Sequence, residues 1–372
     1  MSLTPEPVPD AQASDTLPPA QDLEVLWVGG EGGMEADLVK REGIRFETIP
    51  AAGVHGVGWR SLPGNLWHVA SGFFSSRRIL RRFHPDVLFF TGGYLAVPMA
   101  LAARITGRNR SLLYVPDIEP GLAIKTIARY SDRIALTVEE AEAYFLAGEK
   151  LVVTGYPVRP DLNRWTIQEA RSFFALQEEL PILLVFGGSK GAHSINQALA
   201  AILPDLLHEM QVIHITGKQD WQMLEQVRSK LATELLNRYR PYPYLYDEIG
   251  AAMSLARLAV TRAGASTLGE LPMFGLPAIL VPYPYAWRYQ RMNASYLVKR
   301  GAAEMVEDEH LAEQLLPKVR QLMADNEKRE KMSQAMRTLA KPDAASKIAA
   351  SLTDLAQPGV QVSEKNVPTP TG

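Results

Sequence analysis

Residues 182–196 read ILLVFGGSKGAHSIN, and this stretch decides the fold of the surrounding chain. Its first five residues, Ile182–Phe186, form a continuous apolar run of the kind that is typical of a buried strand. The glycines that follow lead into a predicted helix, where unpaired backbone N–H groups and the helix dipole favour a phosphate or pyrophosphate. Ser189 would add a hydroxyl donor. The spacing does not match a Walker A loop, and an ordinary tight turn explains the glycines equally well.

A second segment of the same kind covers residues 260–284 and reads VTRAGASTLGELPMFGLPAILVPYP. A strand again ends at a glycine, Gly264, and the small residues after it open a helix. Glu270 falls in the first turns of that helix, where the dipole alone favours a carboxylate. The functional alternative is that Glu270 accepts hydrogen bonds from ribose hydroxyls. Two such units in one domain favour a nucleotide-binding crevice at the carboxyl ends of the strands.

A third segment, residues 285–297, reads YAWRYQRMNASYL. Gln290 and Asn293 are three positions apart, so they share a face if the segment is helical. Neutral amides suit sugar hydroxyls because each amide offers a donor and an acceptor together. A polar stripe that faces solvent explains the same spacing equally well.

The rest of the chain alternates short apolar runs with helical stretches, which predicts βαβ units and parallel sheets with helices on both faces. The apolar stretch 87–103 is interrupted by Gly92, Gly93 and Pro98, so it predicts a strand, a turn and a helix and not a membrane span. The predicted helices include 66–83 and 97–105. The predicted strands are 25–29, 45–49, 86–90, 111–115, 151–154, 182–186, 212–216, 258–261 and 278–281.

The length of 372 residues is enough for two domains. We predict a disordered tail at 1–21, a doubly wound domain at 22–155, a second at 156–357 and another disordered tail at 358–372. The formal net charge of -2 gives no overall attraction to nucleic acid or to an anionic membrane. The absence of cysteine excludes disulfides and thiolate metal sites. The acidic, proline-rich start does not have the pattern of a secretory signal.

The segments GGSKGAHSIN, TRAGASTLGE and PYPYAWRYQRMNA together resemble the MurG-type UDP-N-acetylglucosamine transferases. The likeness extends through TGYPVRP, PDIEPGLAIK, FTGGYLAVP and VLWVGGEGGMEADLV, and it covers about residues 24–345. The resemblance implies an α/β protein of the GT-B fold, in which two Rossmann-like domains face each other across a cleft. It implies an inverting enzyme at the cytoplasmic face of the membrane that moves N-acetylglucosamine from UDP-GlcNAc to lipid I, forming lipid II for peptidoglycan. The donor would lie mainly in the C-terminal domain and the acceptor near the N-terminal domain.

The resemblance also implies roles for individual residues. Arg159 would face the diphosphate, the backbone at Tyr246 the uracil, Glu270 the ribose and Gln290 the transferred sugar. The expected donor-binding residues are Asp117, Arg159, Gly188, Ser189, Tyr246, Ala265, Ser266, Thr267, Leu268, Glu270, Gln290 and Asn293. The expected acceptor and membrane residues are Trp67, Phe74, Arg77, Arg78, Arg81 and Tyr94. Aromatic side chains beside clustered arginines suit an anionic lipid surface, although a core helix with a solvated basic edge is the alternative.

Three departures from the family pattern stand out. The family begins with a strand, a GGTGGH-like loop and a helix, and no such segment precedes Val25. The family histidine therefore has no counterpart here, the catalytic residue stays unassigned, and we expect the true start to lie upstream. Asp117 stands where the family has an asparagine, and Tyr289 stands where it has a histidine.

Several alternatives stay open on the sequence. They are a GT-B transferase with another lipid acceptor, a non-catalytic remnant that binds the donor, and, more distantly, a sugar-nucleotide epimerase. Because no D-x-D motif is evident at a donor site, we expect no protein-bound metal, although the pyrophosphate of the lipid could recruit a stimulatory Mg²⁺. The expected partners are UDP-GlcNAc, undecaprenyl-linked lipid I and an anionic membrane surface, with no nucleic acid.

Overall fold

The computed structural model describes residues 23–30, 35–50, 62–107, 110–146, 150–177, 179–188, 192–284 and 289–357. Its strands form three sheets, with the orders β1-β2, β3-β4-β5-β6 and β12-β11-β10-β7-β8-β9. The pairs β1–β2, β4–β5 and β5–β6 and all five pairs of the six-stranded sheet are parallel. The strands are β1 Leu26–Gly30, β2 Arg45–Ile49, β3 Val87–Phe90, β4 Arg110–Val115, β5 Arg133–Leu136, β6 Leu151–Val153, β7 Ile182–Phe186, β8 Gln211–Ile215, β9 Tyr239–Tyr242, β10 Leu258–Thr261, β11 Ala278–Leu280 and β12 Ala303–Met305.

Helices connect the strands, as the alternating sequence pattern predicts. The α-helices are α1 Glu35–Arg41, α2 Leu62–Phe83, α3 Ala96–Thr106, α4 Leu122–Ala128, α5 Ile167–Phe174, α6 His193–Glu209, α7 Trp221–Arg228, α8 Thr233–Leu236, α9 Glu248–Leu255, α10 Thr267–Phe274, α11 Tyr289–Lys299, α12 Leu311–Ala324, α13 Asn326–Thr338 and α14 Ala344–Ala356. Within the described residues, no helix is long and apolar enough to cross a membrane.

The chain forms two compact units. The first unit comprises 1–88, 93–111 and 349–372, and the second comprises 89–92 and 112–348. The predicted domain boundary between 155 and 156 falls inside the second unit. A division of the chain at that point therefore stays a prediction.

The six-stranded sheet of the second unit is covered on both faces. Successive side chains of a strand point to opposite faces, and the fully buried β7 shows this directly. Leu183 and Val185 join one apolar cluster with Leu199 of α6, whereas Leu184 joins another with Leu268 of α10. A strand buried on both faces requires a continuous apolar run, which is the pattern that the sequence has at this position.

A buried histidine adds a polar network to this core. His214 of β8 is fully buried, and its Nδ1 and Nε2 lie 2.9 Å from the Tyr239 hydroxyl and from Asn196 Oδ1. Asn196 in turn donates to the Thr216 carbonyl and to Asp220. Burial lowers the pKa of His214 to about 3, and the charge of Asp220 opposes this effect. The imidazole is therefore neutral in the folded protein.

In the first unit, α2 packs against α3. A Cβ on Gly72 of α2 would lie 2.4 Å from the Pro50 carbonyl oxygen and 3.4 Å from Pro98 of α3, so this position requires glycine. Ile79 and Leu80 are buried on the same helix, whereas Phe74 is 65% exposed. The helix is therefore amphipathic, with one face in the core and one in solvent.

Most predicted elements are confirmed, some to the residue. The stretch 87–103 contains β3, two glycines with positive φ and the start of α3, as predicted. The sequence reading missed β5, β9 and β12. Each has only three or four residues and includes a charged side chain, so none has the apolar run on which a strand prediction depends.

Candidate donor-binding site

The glycine turn that the sequence indicated lies at the carboxyl end of the central strand β7. Gly188 has a φ of +81° and is exposed, a backbone conformation that side chains other than glycine rarely adopt. The helix α6 begins at His193 soon afterwards and runs for 17 residues. Ser189 lies outside the described residues. The backbone around Gly188 can therefore approach a ligand at the N-terminus of a long helix.

A second turn lies beside the first because β10 is the parallel neighbour of β7. After β10 the chain turns through Gly264, and α10 begins at Thr267. The N–H groups of Thr267 and Leu268 bond back to Gly264 and Ala265, at 3.1 and 3.0 Å. Adjacent parallel strands therefore bring the predicted residues Gly188 and Ala265–Leu268 to the same edge of the sheet.

Glu270 lies in the first turn of α10 and is half-buried. Burial raises the pKa of its carboxyl, while a hydrogen bond from Ser266 and the charge of Arg159 oppose this effect. Next to it, a Cβ on Gly269 would lie 2.8 Å from Tyr156, so the helix start packs closely on residue 156. The carboxylate is thus held close to the turn, where it can accept hydrogen bonds.

Arg159 and Tyr246, both predicted donor contacts, are adjacent in the structure. Arg159 donates to the Tyr246 carbonyl at 3.3 Å and pairs with Asp247 at 3.3 Å. Both Arg159 and Tyr246 are exposed, and the Tyr246 ring contacts that of Tyr244 edge to face, with 4.6 Å between centroids. The two residues therefore present a guanidinium and an aromatic surface to solvent, side by side.

Gln290 has one of its amide atoms fixed by the protein. Its Oε1 accepts a hydrogen bond from the Tyr283 backbone N–H at 2.9 Å. The amide oxygen therefore points toward the loop after β11, and the Nε2 group is the part that can donate to a ligand. Gln290 lies at the start of α11 and is half-buried.

Asn293 has a different environment from Gln290, although both lie on α11. It is completely buried. Its Oδ1 accepts from the Ile118 N–H at 3.2 Å, and its Nδ2 donates to Asp117 Oδ1 at 2.8 Å and to the Ala263 carbonyl at 3.1 Å. Both amide hydrogens are thus used within the protein. Asn293 connects the loop after β4 to the turn before α10.

Two carboxylates and a phenol lie near one another at this point. Burial raises the pKa of Asp117, and the hydrogen bond from Asn293 opposes this effect. Burial and then the charges of Glu270 and Asp117 raise the pKa of Tyr156 to about 12. Tyr156 was not among the residues expected to form the site, and its only sequence signal is its place in the TGYPVRP segment.

Comparisons with known proteins cover almost the whole of this architecture. Models of the glycosyltransferase family 28 N-terminal and C-terminal domains match residues 17–136 and 182–348. A UDP-N-acetylglucosamine--N-acetylmuramyl-(pentapeptide) pyrophosphoryl-undecaprenol N-acetylglucosamine transferase from Roseiflexus sp. (strain RS-1) is 40% identical over 362 residues, which cover 87% of this chain and 82% of the relative. The chain belongs to glycosyltransferase family 28, among the MurG-type transferases.

Solved structures agree with this family-28 fold. The crystal structure of Acinetobacter baumannii MurG is 24% identical and covers 90% of this chain and 92% of its own, with a TM-score of 0.69. A UDP-GlcNAc 2-epimerase from Neisseria meningitidis, bound to UDP-GlcNAc, has a TM-score of 0.62 at 15% identity and covers 89% of this chain and 100% of its own. The predicted GT-B fold is confirmed. Family membership also confirms that the chain is an enzyme, a UDP-sugar glycosyltransferase.

A buried arginine, Arg262, connects the end of β10 to the start of α6 in this family-28 enzyme. The sequence analysis did not predict a role for it. Arg262 donates to Ser194 Oγ at 2.7 Å, to the Val281 carbonyl at 3.2 Å and to Asp308. Its guanidinium also lies 5.1 Å from the ring centroid of Tyr283. Arg262 therefore ties the first turn of α6 to the loop that carries the partner of Gln290.

The predicted acceptor and membrane residues belong to the first unit. On α2, Phe74, Arg78 and Arg81 are exposed and Arg77 is half-buried. Tyr94, in the turn before α3, is 46% exposed. A shallow depression on α2 is lined by Ala70, Ser71, Phe74, Ser75 and Arg78. Residue 67 lies within α2, but its side chain is outside what the structure describes.

Proposed function

We propose that this enzyme transfers N-acetylglucosamine from UDP-GlcNAc to the 4-hydroxyl of the N-acetylmuramyl group of lipid I, forming lipid II. The observation that carries the proposal is the 40% identity to the Roseiflexus transferase, whose name states this donor sugar and an undecaprenol-linked acceptor. The likeness spans 87% of the chain, so it includes both matched domains and not the donor domain alone.

The arrangement of the donor turns supports this chemistry. In the transfer, the acceptor oxygen attacks the anomeric carbon, the bond from that carbon to UDP breaks, and UDP leaves with the electron pair. Backbone N–H groups near Gly188 and at the start of α10 would stabilise the negative charge that develops on the diphosphate. Two helix N-termini lie at one sheet edge, and a diphosphate carries enough charge to use both.

We assign the donor contacts as follows. Arg159 binds the diphosphate, the backbone at Tyr246 reads the uracil and Glu270 accepts from the ribose. Gln290 donates from Nε2 to the transferred sugar. The adjacency of Arg159 and Tyr246 supports the first two roles, and the hydrogen bond that orients Gln290 supports the last. Asn293 acts on this site through its bonds to Asp117 and Ala263.

The enzyme would act at the cytoplasmic face of the membrane, bound at the surface. Exposed Phe74 beside Arg78 and Arg81 on α2 supports contact with anionic lipid, because apolar insertion and positive charge act together there. We therefore propose that the first unit recognises the lipid and the second unit recognises the donor. We expect the fold to hold no metal, and Mg²⁺ to act through the lipid pyrophosphate if it stimulates the reaction.

The test is transfer from UDP-GlcNAc to a lipid I analogue, followed by UDP release and by mass spectrometry of the lipid product. Calorimetry with UDP-glucose and UDP-galactose as competitors measures donor choice. We expect UDP-GlcNAc to bind most tightly and the product to gain one N-acetylhexosamine. Equal or tighter binding of UDP-galactose would overturn the donor assignment. Transfer only to a different lipid acceptor, such as diacylglycerol, would overturn the acceptor assignment.

A further inference from the structure

The side chain of Arg262 holds three consecutive residues of the loop that follows β11. Arg262 comes directly after β10 and is only 7% exposed. Its Nη1 group donates to the carbonyl oxygens of Val281 at 3.2 Å and Pro282 at 3.5 Å. Its guanidinium carbon lies 5.1 Å from the ring centroid of Tyr283. The path of this loop therefore depends on where the guanidinium lies.

Two polar side chains fix the guanidinium itself. Asp308, shortly after β12, accepts a hydrogen bond from Nη1, and Ser194 Oγ accepts one from Nη2 at 2.7 Å. Ser194 Oγ donates in turn to Asp308 Oδ1 at 2.7 Å. Charge-assisted bonds from the planar fork of an arginine are strong and directional. The guanidinium is therefore held in one geometry.

The loop that Arg262 holds also carries the partner of the predicted sugar-binding amide. The Tyr283 N–H donates to Gln290 Oε1 at 2.9 Å. This bond fixes the oxygen end of the amide against the protein, so Nε2 is the end that can donate to a ligand. A displaced Tyr283 would release Oε1 and allow the amide to turn. The orientation of Gln290 therefore depends on Arg262.

We propose that Arg262 is a positioning residue of the transfer reaction, which holds Tyr283 and through it the amide of Gln290 at the transferred sugar. The inference rests on the proposed function, because it takes Gln290 to bind that sugar. Misplacement of a binding group by about 1 Å can cost about 10²-fold in rate. Because Arg262 acts on the loop after β11, its loss should affect contacts with the sugar more than contacts with UDP.

The competing explanation is that Arg262 only stabilises the fold. Arg262→Lys keeps a positive charge for Asp308, but an ammonium group cannot reproduce the planar fork or its stacking on an aromatic ring. Arg329→Lys is the matched control. Arg329 is also a buried arginine, 9% exposed, and it donates to two backbone carbonyls at the end of α12, those of Leu322 and Met323.

The experiment measures affinity for UDP and for UDP-GlcNAc by calorimetry, kcat for transfer to a lipid I analogue, and folding by circular dichroism. We expect Arg262→Lys to weaken UDP-GlcNAc binding about tenfold, to lower kcat about 10–100-fold and to change UDP affinity less than about threefold. The control Arg329→Lys should leave both affinities and kcat unchanged. Unequal losses of UDP and UDP-GlcNAc affinity distinguish positioning of the sugar contact from general destabilisation.

A double-mutant cycle tests whether Arg262 acts through Gln290. Gln290→Ala should weaken binding of UDP-GlcNAc and not of UDP. Addition of Arg262→Lys to Gln290→Ala should then weaken UDP-GlcNAc binding no further, because the group that Arg262 positions is already absent. Independent action of Arg262 on the fold would give additive losses instead.

Four outcomes would overturn the assignment. They are wild-type behaviour of Arg262→Lys, equal losses of UDP and UDP-GlcNAc affinity in that variant, additive losses in the cycle, and a Gln290→Ala enzyme that binds UDP-GlcNAc as tightly as wild type. If Arg262→Lys does not fold, Asp308→Asn takes its place in the cycle, because it removes the charge that fixes the guanidinium. The wild-type enzyme alone tests the proposed function, which fails if that enzyme neither binds UDP-GlcNAc nor transfers its sugar.

Discussion

The six-stranded sheet of the second unit and the two-stranded sheet of the first unit are built from the same kind of parallel strand, but they are covered differently. Every residue of β7 is buried, whereas on β1 Trp27 is 38% exposed and only Gly29 and Gly30 are buried. Parallel strands are usually buried on both faces by helices. The glycine turns after β7 and β10 leave the fully covered sheet, which is where a site that needs fixed geometry is best placed.

The largest expected effect tests this difference in cover directly. Leu184→Ala removes a side chain with no solvent exposure from β7 and should lower the free energy of unfolding by about 2–5 kcal/mol. The matched change in the first unit is Leu38→Ala in α1, where the leucine is 51% exposed, and we expect a loss below about 1 kcal/mol. Urea unfolding followed by circular dichroism measures both. Equal losses of unfolding free energy would mean that burial by helices does not distinguish the two sheets.

An intermediate effect is expected at the proposed donor site, which lies at the edge of the covered sheet. Glu270→Ala should weaken UDP binding by about 1–3 kcal/mol, because the ribose hydroxyls would lose the half-buried acceptor that we propose for them. The control is Glu313→Ala, which removes an exposed carboxylate from the first turn of α12. Calorimetry with UDP should show no change for the control. Normal UDP binding by Glu270→Ala would leave that residue with the role of a helix-end charge only.

The smallest effect is expected on the exposed face of the first unit. Arg78→Gln and Arg81→Gln should each weaken binding to vesicles that contain anionic phospholipid by about 1 kcal/mol, and more at low salt than at high salt. Lys230→Gln removes an exposed positive charge from the second unit and serves as the control. Vesicle sedimentation at two salt concentrations measures the loss. An equal effect of all three variants would indicate attraction without a defined surface.

The sequence predicted those parts of the molecule that depend on local pattern. The strands Ile182–Phe186 and Leu258–Thr261 are as predicted, because a continuous apolar run is the direct requirement of a strand buried on both faces. The short β12, Ala303–Met305, was missed because pairing with β11 stabilises it and no such run marks it. Local pattern therefore predicted the scaffold and its glycine turns.

The contacts within the site were less predictable. Helical spacing placed Gln290 and Asn293 on one face, but it did not indicate that Gln290 would be half-buried and Asn293 completely buried. Asn293 bonds to a residue 176 positions away, and tertiary packing alone sets that contact. The contacts of Arg262 with Ser194 and Asp308 likewise join segments that are far apart in the chain. No sequence period encodes either arrangement.

The buried imidazole of His214 makes the stability of the second unit depend on pH. In the unfolded chain a histidine takes up a proton near pH 6.5, whereas in the folded protein burial holds the pKa of His214 at about 3. Between these two pH values, opening of the sheet is accompanied by proton uptake, so acid favours the open state and stability falls as the pH drops from 6.5. Hydrogen exchange of the β8 amides at pH 7 and pH 4 would detect this uptake. After correction for the intrinsic exchange rate at each pH, we expect the free energy of opening to be lower at pH 4. An opening free energy that does not change with pH would mean that other groups offset His214. A lower opening free energy at pH 4 would make β8, which pairs with the strand before the glycine turn, an acid-sensitive part of the enzyme.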